Sequence, residues 1–141
     1  MHQDLTKARQ LLHTGKYTCV LCRGQSTLTS TARGVRPLVE FLHRGTLEGY
    51  SAADKVVGKA TAFLYVLLGV CAVYTPVVSK PAFEVLRSHN IEIICDSIVP
   101  AIFNRDRSGF CPMESAVQHI HDPIQAKAAI ENAMVNGIHR K

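Results

Sequence analysis

The longest apolar run of the chain spans residues 60–74 and has the sequence ATAFLYVLLGVCAVY. Only Thr61 and Gly69 interrupt it, and it is shorter than a membrane-spanning helix needs to be. Its pattern predicts a buried helix that ends at Leu68, followed by a buried strand over residues 71–75. A buried helix that leads into a buried strand indicates a layered α/β domain.

The segment before this run determines where the helix is expected to begin. Ser51 is followed three residues later by Asp54, a capping-box pattern that predicts a helix from Ser51 to Leu68. Towards the N-terminus, the patterns predict a helix over residues 4–13, hairpin strands over 17–22 and 26–31, and a short helix over 35–43.

The segment after the run continues the alternation of helices and strands. The patterns predict a helix over residues 80–89, a strand over 91–95, a short helix over 99–104, and two final helices that begin at Pro112 and Pro123. Apolar strands joined by crossover helices place helices on both faces of a sheet. The sequence therefore predicts one domain over residues 1–141, an α/β fold of three layers, α/β/α, with a central mixed sheet of four to five strands.

The composition is that of a globular protein from a reducing compartment. Of 141 residues, 47% are hydrophobic and 19% are charged, and the net charge is +5. Four of the five cysteines lie in or beside strand-like stretches and are expected to be free thiols. The N-terminus does not resemble a signal peptide, so we expect a cytoplasmic protein with no membrane segment. Dispersed Lys and Arg and the absence of Trp do not favour nucleic-acid binding.

Two segments carry a family resemblance. Residues 51–60 (SAADKVVGKA) and 104–114 (NRDRSGFCPME) resemble the signature segments of a family of short prokaryotic proteins of unknown function. Residues 33–38 (RGVRPL) and the strand that ends at Thr75 are similar to it as well, and the likeness runs from Tyr17 through the last helix. That family is placed in the cytidine-deaminase-like superfamily, so the resemblance implies a cytidine-deaminase-like fold. It implies no particular chemistry.

The superfamily comparison can be tested against the residues that bind zinc. Zinc deaminases hold the metal with His or Cys at the start of one core helix and two Cys at the start of the next. The corresponding helices are expected to start near Ser51 and Ser79. Neither His nor Cys occurs between Thr46 and Val70, or between residues 73 and 87. The sequence therefore predicts a domain without zinc or another cofactor, and it argues against zinc-dependent deamination while leaving open whether the protein is an enzyme.

The candidate site gathers polar residues at predicted helix starts near the carboxyl ends of strands, where open α/β sheets bind ligands. In this hypothesis the lysines and Arg105 hold negative charge, and Cys111 or Glu114 supplies any chemistry. Ser79 and Asn104 form hydrogen bonds to the ligand. The predicted ligand-binding residues are Asp54, Lys55, Lys59, Ser79, Lys80, Asn104 and Arg105, and the predicted catalytic residues are Cys111 and Glu114.

Each of these residues also has a structural interpretation. Asp54 is explained as a capping carboxylate and Ser79 as an N-cap. Lys55 and Lys59 share one helical stripe in the prediction, and they either reach solvent or line a pocket. Cys111 lies before a proline at a helix start, where a thiol is activated or merely structural.

The cysteine pair Cys19 and Cys22 has the spacing of a metal or redox motif, C-x-x-C. Residues three apart on a strand point to opposite faces, which favours core thiols instead.

The favoured function is the binding of a small anionic or nucleotide-like ligand by a non-zinc, cytidine-deaminase-like domain, and it rests on the fold resemblance and the clustered helix starts. One alternative is a thiol-dependent enzyme that uses Cys111. Another is a non-catalytic protein-interaction or regulatory module, for which the sheet edges and the final helices would allow a homodimer.

Overall fold

Six strands and six helices make up the part of the chain that the computed structural model describes, residues 2–32, 34–102 and 112–139. In chain order they are α1 (His2–Thr14), β1 (Cys19–Arg23), β2 (Ser26–Ser30), α2 (Arg36–Arg44), β3 (Ser51–Asp54), β4 (Val56–Val57), α3 (Lys59–Leu68), β5 (Ala72–Ser79), α4 (Lys80–Ser88), β6 (Glu92–Val99), α5 (Pro112–Val117) and α6 (Pro123–His139). None of the helices in these ranges has both the length and the apolar content that crossing a membrane requires.

The sheet is mixed. Strand β1 runs antiparallel to β2 and β3, whereas β3, β4 and β6 all run parallel to β5. Strands β3 and β4 follow the same edge of β5 in one register, since Ser51 pairs with Ala72 and Val56 with Val77. They form one strand that is interrupted at Lys55, whose backbone N–H donates to the Thr18 carbonyl over 3.1 Å. The six segments therefore occupy five strand positions in the sheet. Five is the upper value of the predicted four to five strands.

The two faces of the sheet bury different clusters. Cys19 and Leu21 of β1 pack with residues of α2, α3, α4, α5 and α6, whereas Val20 and Cys22 pack with α1 on the other face. This alternation is the period of two that a strand imposes. The prediction that the two thiols of the C-x-x-C pair point to opposite faces is confirmed, and both thiols are free.

The predicted helix from Ser51 to Leu68 is wrong in its first half. Residues 51–53 are fully buried and pair with β1 on one side and β5 on the other, so the sheet takes up their backbone hydrogen bonds. The helix begins at Lys59, after Gly58 in an extended conformation. Ser51 and Asp54 therefore form no capping box, and Lys55 shares no helical stripe with Lys59.

The C-terminal half differs from the prediction mainly in strand length. Parallel pairing between β5 and β6 continues as far as Ser79 and Val99, which extends both strands by several residues beyond the predicted ends. The short helix predicted over residues 99–104 is therefore wrong for residues 99–102, and 103–104 lie outside the described residues. The helices predicted to start at Pro112 and Pro123 are confirmed. So is the helix predicted from Lys80, for which Ser79 is the N-cap.

Candidate ligand-binding site

A cleft of about 460 Å³ opens where β3 gives way to β4. Its walls come from the start of β1, from α2, from the first turn of α3 and from α5. The lining is mainly apolar and includes Val35, Leu38, Val56, Ala60, Ile102 and Met113. The polar side chains that line it are Thr18, Asp54, Lys55, Thr61 and Glu114. An apolar cleft of this size with a few converging polar groups is typical of a small-molecule site.

Asp54 lies at the interruption between β3 and β4 and is held by a chain of hydrogen bonds. The Tyr65 hydroxyl of α3 donates to Asp54 Oδ2 over 2.7 Å, and the Cys19 sulfur lies 3.4 Å from the same hydroxyl. The backbone N–H groups of Lys55 and Val56 also donate to the Asp54 carboxyl. Because the Tyr65 proton goes to Asp54, the Cys19 thiol is the donor to the Tyr65 oxygen.

Burial changes the acid–base properties of all three groups. Desolvation raises the pKa of Asp54 from its usual 3.8 to about 7, although its three hydrogen bonds act in the opposite direction. Burial and the neighbouring Asp54 carboxyl raise the pKa of the Cys19 thiol and of the Tyr65 hydroxyl above their usual values. Of these three hydrogen-bonded groups, Asp54 is therefore the one that exchanges a proton near neutral pH.

Glu114 closes the side of the cleft formed by α5. Its carboxylate accepts hydrogen bonds from the first two backbone N–H groups of α3, at 2.8 Å from Lys59 N and 2.9 Å from Ala60 N. A Cβ added at Gly58 would lie 2.5 Å from Glu114 Oε1, so the approach depends on glycine at this position. Glu114 thus caps α3, and each of its two oxygens accepts from a backbone donor.

A second tyrosine–aspartate pair lies on the opposite face of the sheet. The Tyr74 hydroxyl of β5 donates to Asp96 Oδ2 of β6 over 2.7 Å. The Arg9 guanidinium lies 4.3 Å from the centre of the Tyr74 ring, and His13 Nε2 is 3.1 Å from the Tyr74 hydroxyl. Both side chains come from α1, and Asp96 is exposed to solvent. The pair therefore joins α1 to the sheet.

Comparison with known proteins identifies the family. Residues 7–134 match the family model of a domain of unknown function, DUF1893. The chain belongs to the DUF1893 family. It is similar to the crystal structure of a DUF1893 family protein from Thermotoga maritima, with a TM-score of 0.84 and 26% sequence identity over 96% of this chain and 91% of that one. No curated protein matches the sequence. The predicted resemblance to a family of unknown function is confirmed.

The DUF1893 fold brings three of the predicted site residues to the main cleft, namely Asp54, Lys55 and Glu114. Lys59 and Ser79 line a neighbouring cleft of about 240 Å³, which Glu114 also borders. Both have structural partners, because Lys59 Nζ donates to the Gln118 carbonyl over 3.1 Å and Ser79 Oγ accepts from Ala82 N over 3.2 Å.

Of the remaining predicted site residues, only Lys80 lies in the part of the chain that the structure describes, and it lines neither cleft. Lys80 is exposed and follows the Ser79 N-cap. Asn104, Arg105 and Cys111 lie outside the described residues. Within the described ranges, no group of three or more His, Cys, Asp or Glu side chains is arranged to hold a metal ion.

Sequence reasoning missed two members of the site, Cys19 and Tyr65. Tyr65 lies in the middle of the apolar run of residues 60–74, and it was counted there as a core residue. A buried tyrosine hydroxyl needs a hydrogen-bond partner, and this requirement was the available signal. It would have pointed to an acceptor near α3, although not to Asp54 in particular.

Proposed function

We propose that this DUF1893 chain is a single domain over residues 1–141 that binds a small nucleotide-like ligand in the cleft beside Asp54. We further propose that it has the three-layer α/β/α arrangement of the cytidine-deaminase-like superfamily. In support, α1 packs on one face of the mixed sheet, and α2, α3, α4, α5 and α6 contribute to the cluster on the other face. Helices α3 and α4 follow the neighbouring parallel strands β4 and β5.

Asp54 is the single observation that carries the proposal. A carboxyl in an apolar-walled cleft, held by a buried tyrosine and with a pKa of about 7, is an expensive arrangement for a fold to maintain without a use. The group donates a hydrogen bond when it is protonated and accepts one when it is ionised, so it suits ligands whose donors and acceptors alternate along one edge. Nucleobases have such edges.

The charged part of the ligand would meet Lys55 rather than the inside of the cleft. Lys55 is exposed and follows Asp54 directly, so its amino group is free to move at the mouth. We assign no ligand contact to Lys59, Ser79 or Glu114, since each is engaged in a structural hydrogen bond. Asn104 and Arg105 stay predicted ligand contacts.

The proposal does not include zinc chemistry. Helices α3 and α4 begin with Lys59 and Lys80, neither of which is a zinc ligand. Asp54 is placed to exchange a proton with a bound ligand, so a proton-transfer reaction is the chemistry that the cleft would suit. The four free thiols among the described residues support the proposed cytoplasmic location.

A thermal-shift panel of nucleobases, nucleosides and nucleotides tests the proposal with a matched pair of variants. We expect at least one compound to stabilise the wild-type protein, since a ligand at one hundred times its Kd adds about 2.7 kcal/mol. Asp54→Asn should abolish that shift. Asp96→Asn removes the equivalent carboxyl on the other face and should leave the shift unchanged. Stabilisation by no compound in the panel, or equal stabilisation of both variants, would contradict the proposal.

Strand β6 supports an interaction module as a second candidate. It pairs with β5 and is placed at the end of the sheet order, and Ile94 and Ile98 on it are 38% and 50% exposed. Light scattering over a range of protein concentrations would reveal a homodimer, and Ile98→Lys should then weaken it. A monomer at every concentration would rule out the homodimer.

The thiol-enzyme alternative stays a prediction, because Cys111 lies outside the described residues. Alkylation at neutral pH distinguishes it, since an activated Cys111 would react faster than free cysteine.

A further inference from the structure

The inner surface of the cleft is acidic. Asp54 and Glu114 both line it, and Lys55 carries the one amino group among the described lining residues. The Lys55 side chain is exposed, whereas Asp54 is partly buried. Of the described charged groups, a ligand that enters the cleft therefore meets carboxyl groups inside and the Lys55 amino group at the mouth.

The Asp54 carboxyl has one hydrogen-bonding position left for a ligand. An ionised carboxylate accepts about four hydrogen bonds. Among the described residues three donors reach it, namely the Tyr65 hydroxyl, the Val56 backbone N–H and the Lys55 backbone N–H, which is shared with the Thr18 carbonyl. Because Asp54 also lines the cleft, the fourth position is the one that a ligand donor can fill.

Among the described residues, the carboxyl also has no countercharge. Within the described ranges, no lysine, arginine or histidine forms an ion pair with Asp54. Desolvation without an opposite charge is what holds the pKa of this group near 7. A cation placed at the open position would supply the missing charge, whereas an anion would add repulsion in a poorly solvated place.

We propose that the part of the ligand that enters this cleft is a nitrogen base with N–H donors, bound as a cation against Asp54, and that any anionic group stays at the mouth near Lys55. This inference rests on the proposed function, because it concerns the ligand of the same cleft. It assigns the apolar walls to the hydrocarbon body of the base and the fourth position on Asp54 to an N–H donor.

The proton balance of binding depends on pH. Below pH 7 the protonated Asp54 carboxyl transfers its proton to a neutral base, which gives a carboxylate and a bound cation. A ligand that is already a cation instead displaces this proton into the solvent. Above pH 7 the carboxyl is ionised, and a permanent cation binds without proton release. The affinity for a permanent cation therefore rises with pH and levels off near the pKa of Asp54, about 7.

The neighbouring groups do not produce the same profile. The pKa values of Cys19 and Tyr65 are raised above their usual values, so both stay protonated through the neutral range. Lys55 and Glu114 are the other charged groups that line the cleft in the described chain. Glu114 gives both of its oxygens to backbone N–H groups of α3, and Lys55 has the same sign as the expected ligand.

Three probes of nearly identical shape test the inference: benzamidine as a cation, benzamide as a neutral molecule and benzoate as an anion. Binding is measured by calorimetry or NMR at pH 5.5, 6.5, 7.5 and 8.5. We expect the benzamidine affinity to rise by up to about tenfold per pH unit below 7 and to level off above it. Benzamide should bind about tenfold more weakly with no pH dependence, and benzoate more weakly still.

The variants assign the effect to the cleft. Asp54→Asn should lower the benzamidine affinity by about tenfold or more and remove its pH dependence, and Asp96→Asn should change neither. Benzoate or benzamide binding as tightly as benzamidine, or a benzamidine affinity that does not change with pH, would overturn this inference and leave the proposed function standing. If none of the three probes binds and no nucleotide-like compound stabilises the protein, both proposals are wrong.

Discussion

Two tyrosine–aspartate pairs lie on opposite faces of one sheet, and they are joined by hydrogen bonds of equal length. Tyr65 donates to Asp54 over 2.7 Å beside the cleft, and Tyr74 donates to Asp96 over 2.7 Å beside α1. Both tyrosines are fully buried. The donor, the acceptor and the distance are therefore matched, and any difference in behaviour must come from the surroundings.

The surroundings differ in charge and in access to water. The pair that contains Asp54 has a thiol, Cys19, as its next neighbour and apolar walls around it. The pair that contains Asp96 has Arg9 and His13 beside it, and its carboxyl is exposed. The contacts of Arg9 and His13 with Tyr74 make the second pair an anchor for α1. In the first pair, burial with no countercharge among the described residues raises the pKa of Asp54 to about 7, so its proton is exchangeable near neutral pH.

The largest expected difference between the pairs is in the pH dependence of stability. Asp54 has a pKa of about 7 in the folded protein against 3.8 ordinarily, so the folded state holds a proton that the unfolded chain has lost between these values. The free energy of unfolding should therefore fall as pH rises from 4 to 7, by at most roughly 4 kcal/mol, and then level off. Urea denaturation of wild type, Asp54→Asn and Asp96→Asn over this range measures it.

In Asp54→Asn, the decrease in the free energy of unfolding between pH 4 and 7 should disappear. In Asp96→Asn, the free energy of unfolding should change with pH as it does in wild type. Equal slopes in wild type and Asp54→Asn would mean that the buried carboxyl titrates normally, and the two pairs would then be equivalent.

Removing each tyrosine hydroxyl should also destabilise the protein by different amounts in the two pairs. Tyr65→Phe leaves Asp54 without its side-chain donor and Cys19 without its acceptor, both in a buried place, so we expect a loss of about 2–3 kcal/mol. Tyr74→Phe leaves Asp96 open to water, and the loss should be about 1 kcal/mol or less. Because the Tyr65 hydrogen bond lowers the pKa of Asp54, Tyr65→Phe should also move that pKa further upward. A larger loss for Tyr74→Phe would reverse the comparison.

The cleft face depends in addition on the contact between Glu114 and the start of α3. Glu114→Ala removes the cap and should cost about 1–2 kcal/mol. Gly58→Ala places a methyl group where the carboxylate lies, so it should break the same contact. A double-mutant cycle by urea denaturation is therefore expected to be strongly non-additive. Additive losses would show that Gly58 and Glu114 act independently.

The smallest expected effect concerns the α1 face. Arg9→Ala removes the guanidinium beside the Tyr74 ring and should cost about 0.5–1 kcal/mol, less at high salt. Thermal denaturation at low and high salt measures it, with the benzamidine affinity of the cleft as the control that should not change. A change in the benzamidine affinity would show that the two faces of the sheet are energetically coupled.

Much of the fold follows from local sequence signals. Proline at the first helical position correctly located the starts of α5 and α6, and Ser79 with Pro81 located the start of α4. The period of two along β1 correctly separated Cys19 from Cys22. Such features depend on a few neighbouring residues, which is why the sequence alone reveals them.

The interrupted strand of residues 51–57 could not be predicted in the same way. Ser51 and Asp54 have the spacing of a capping box, and the small residues between them tolerate either a helix or a strand. What decides is pairing with β1 and β5, which come from distant parts of the chain. The same holds for the site. Asp54 contacts Tyr65 because residues 51–54 form a strand and the helix begins only at Lys59.

The role of Glu114 likewise depends on tertiary contacts. Its position three residues after Cys111 suggested a cap for its own helix, and the sequence offers no sign that α5 packs on the start of α3. Gly58 allows a close approach, and the close neighbour is the Glu114 carboxylate. Lys59 and Glu114, 55 residues apart in the chain, meet here, beyond the reach of any local pattern.

The carboxyl titration of Asp54, followed by ¹³C NMR from pH 3 to 9, tests the central claim most directly. Asp96, in the matched pair on the other face, is followed in the same spectra, and Asp54→Asn assigns the signal. A midpoint for Asp54 of about 7 is the result that the cleft geometry predicts. A midpoint for Asp54 near its usual 3.8 would contradict the claim that this carboxyl is desolvated and poised to exchange a proton with a ligand.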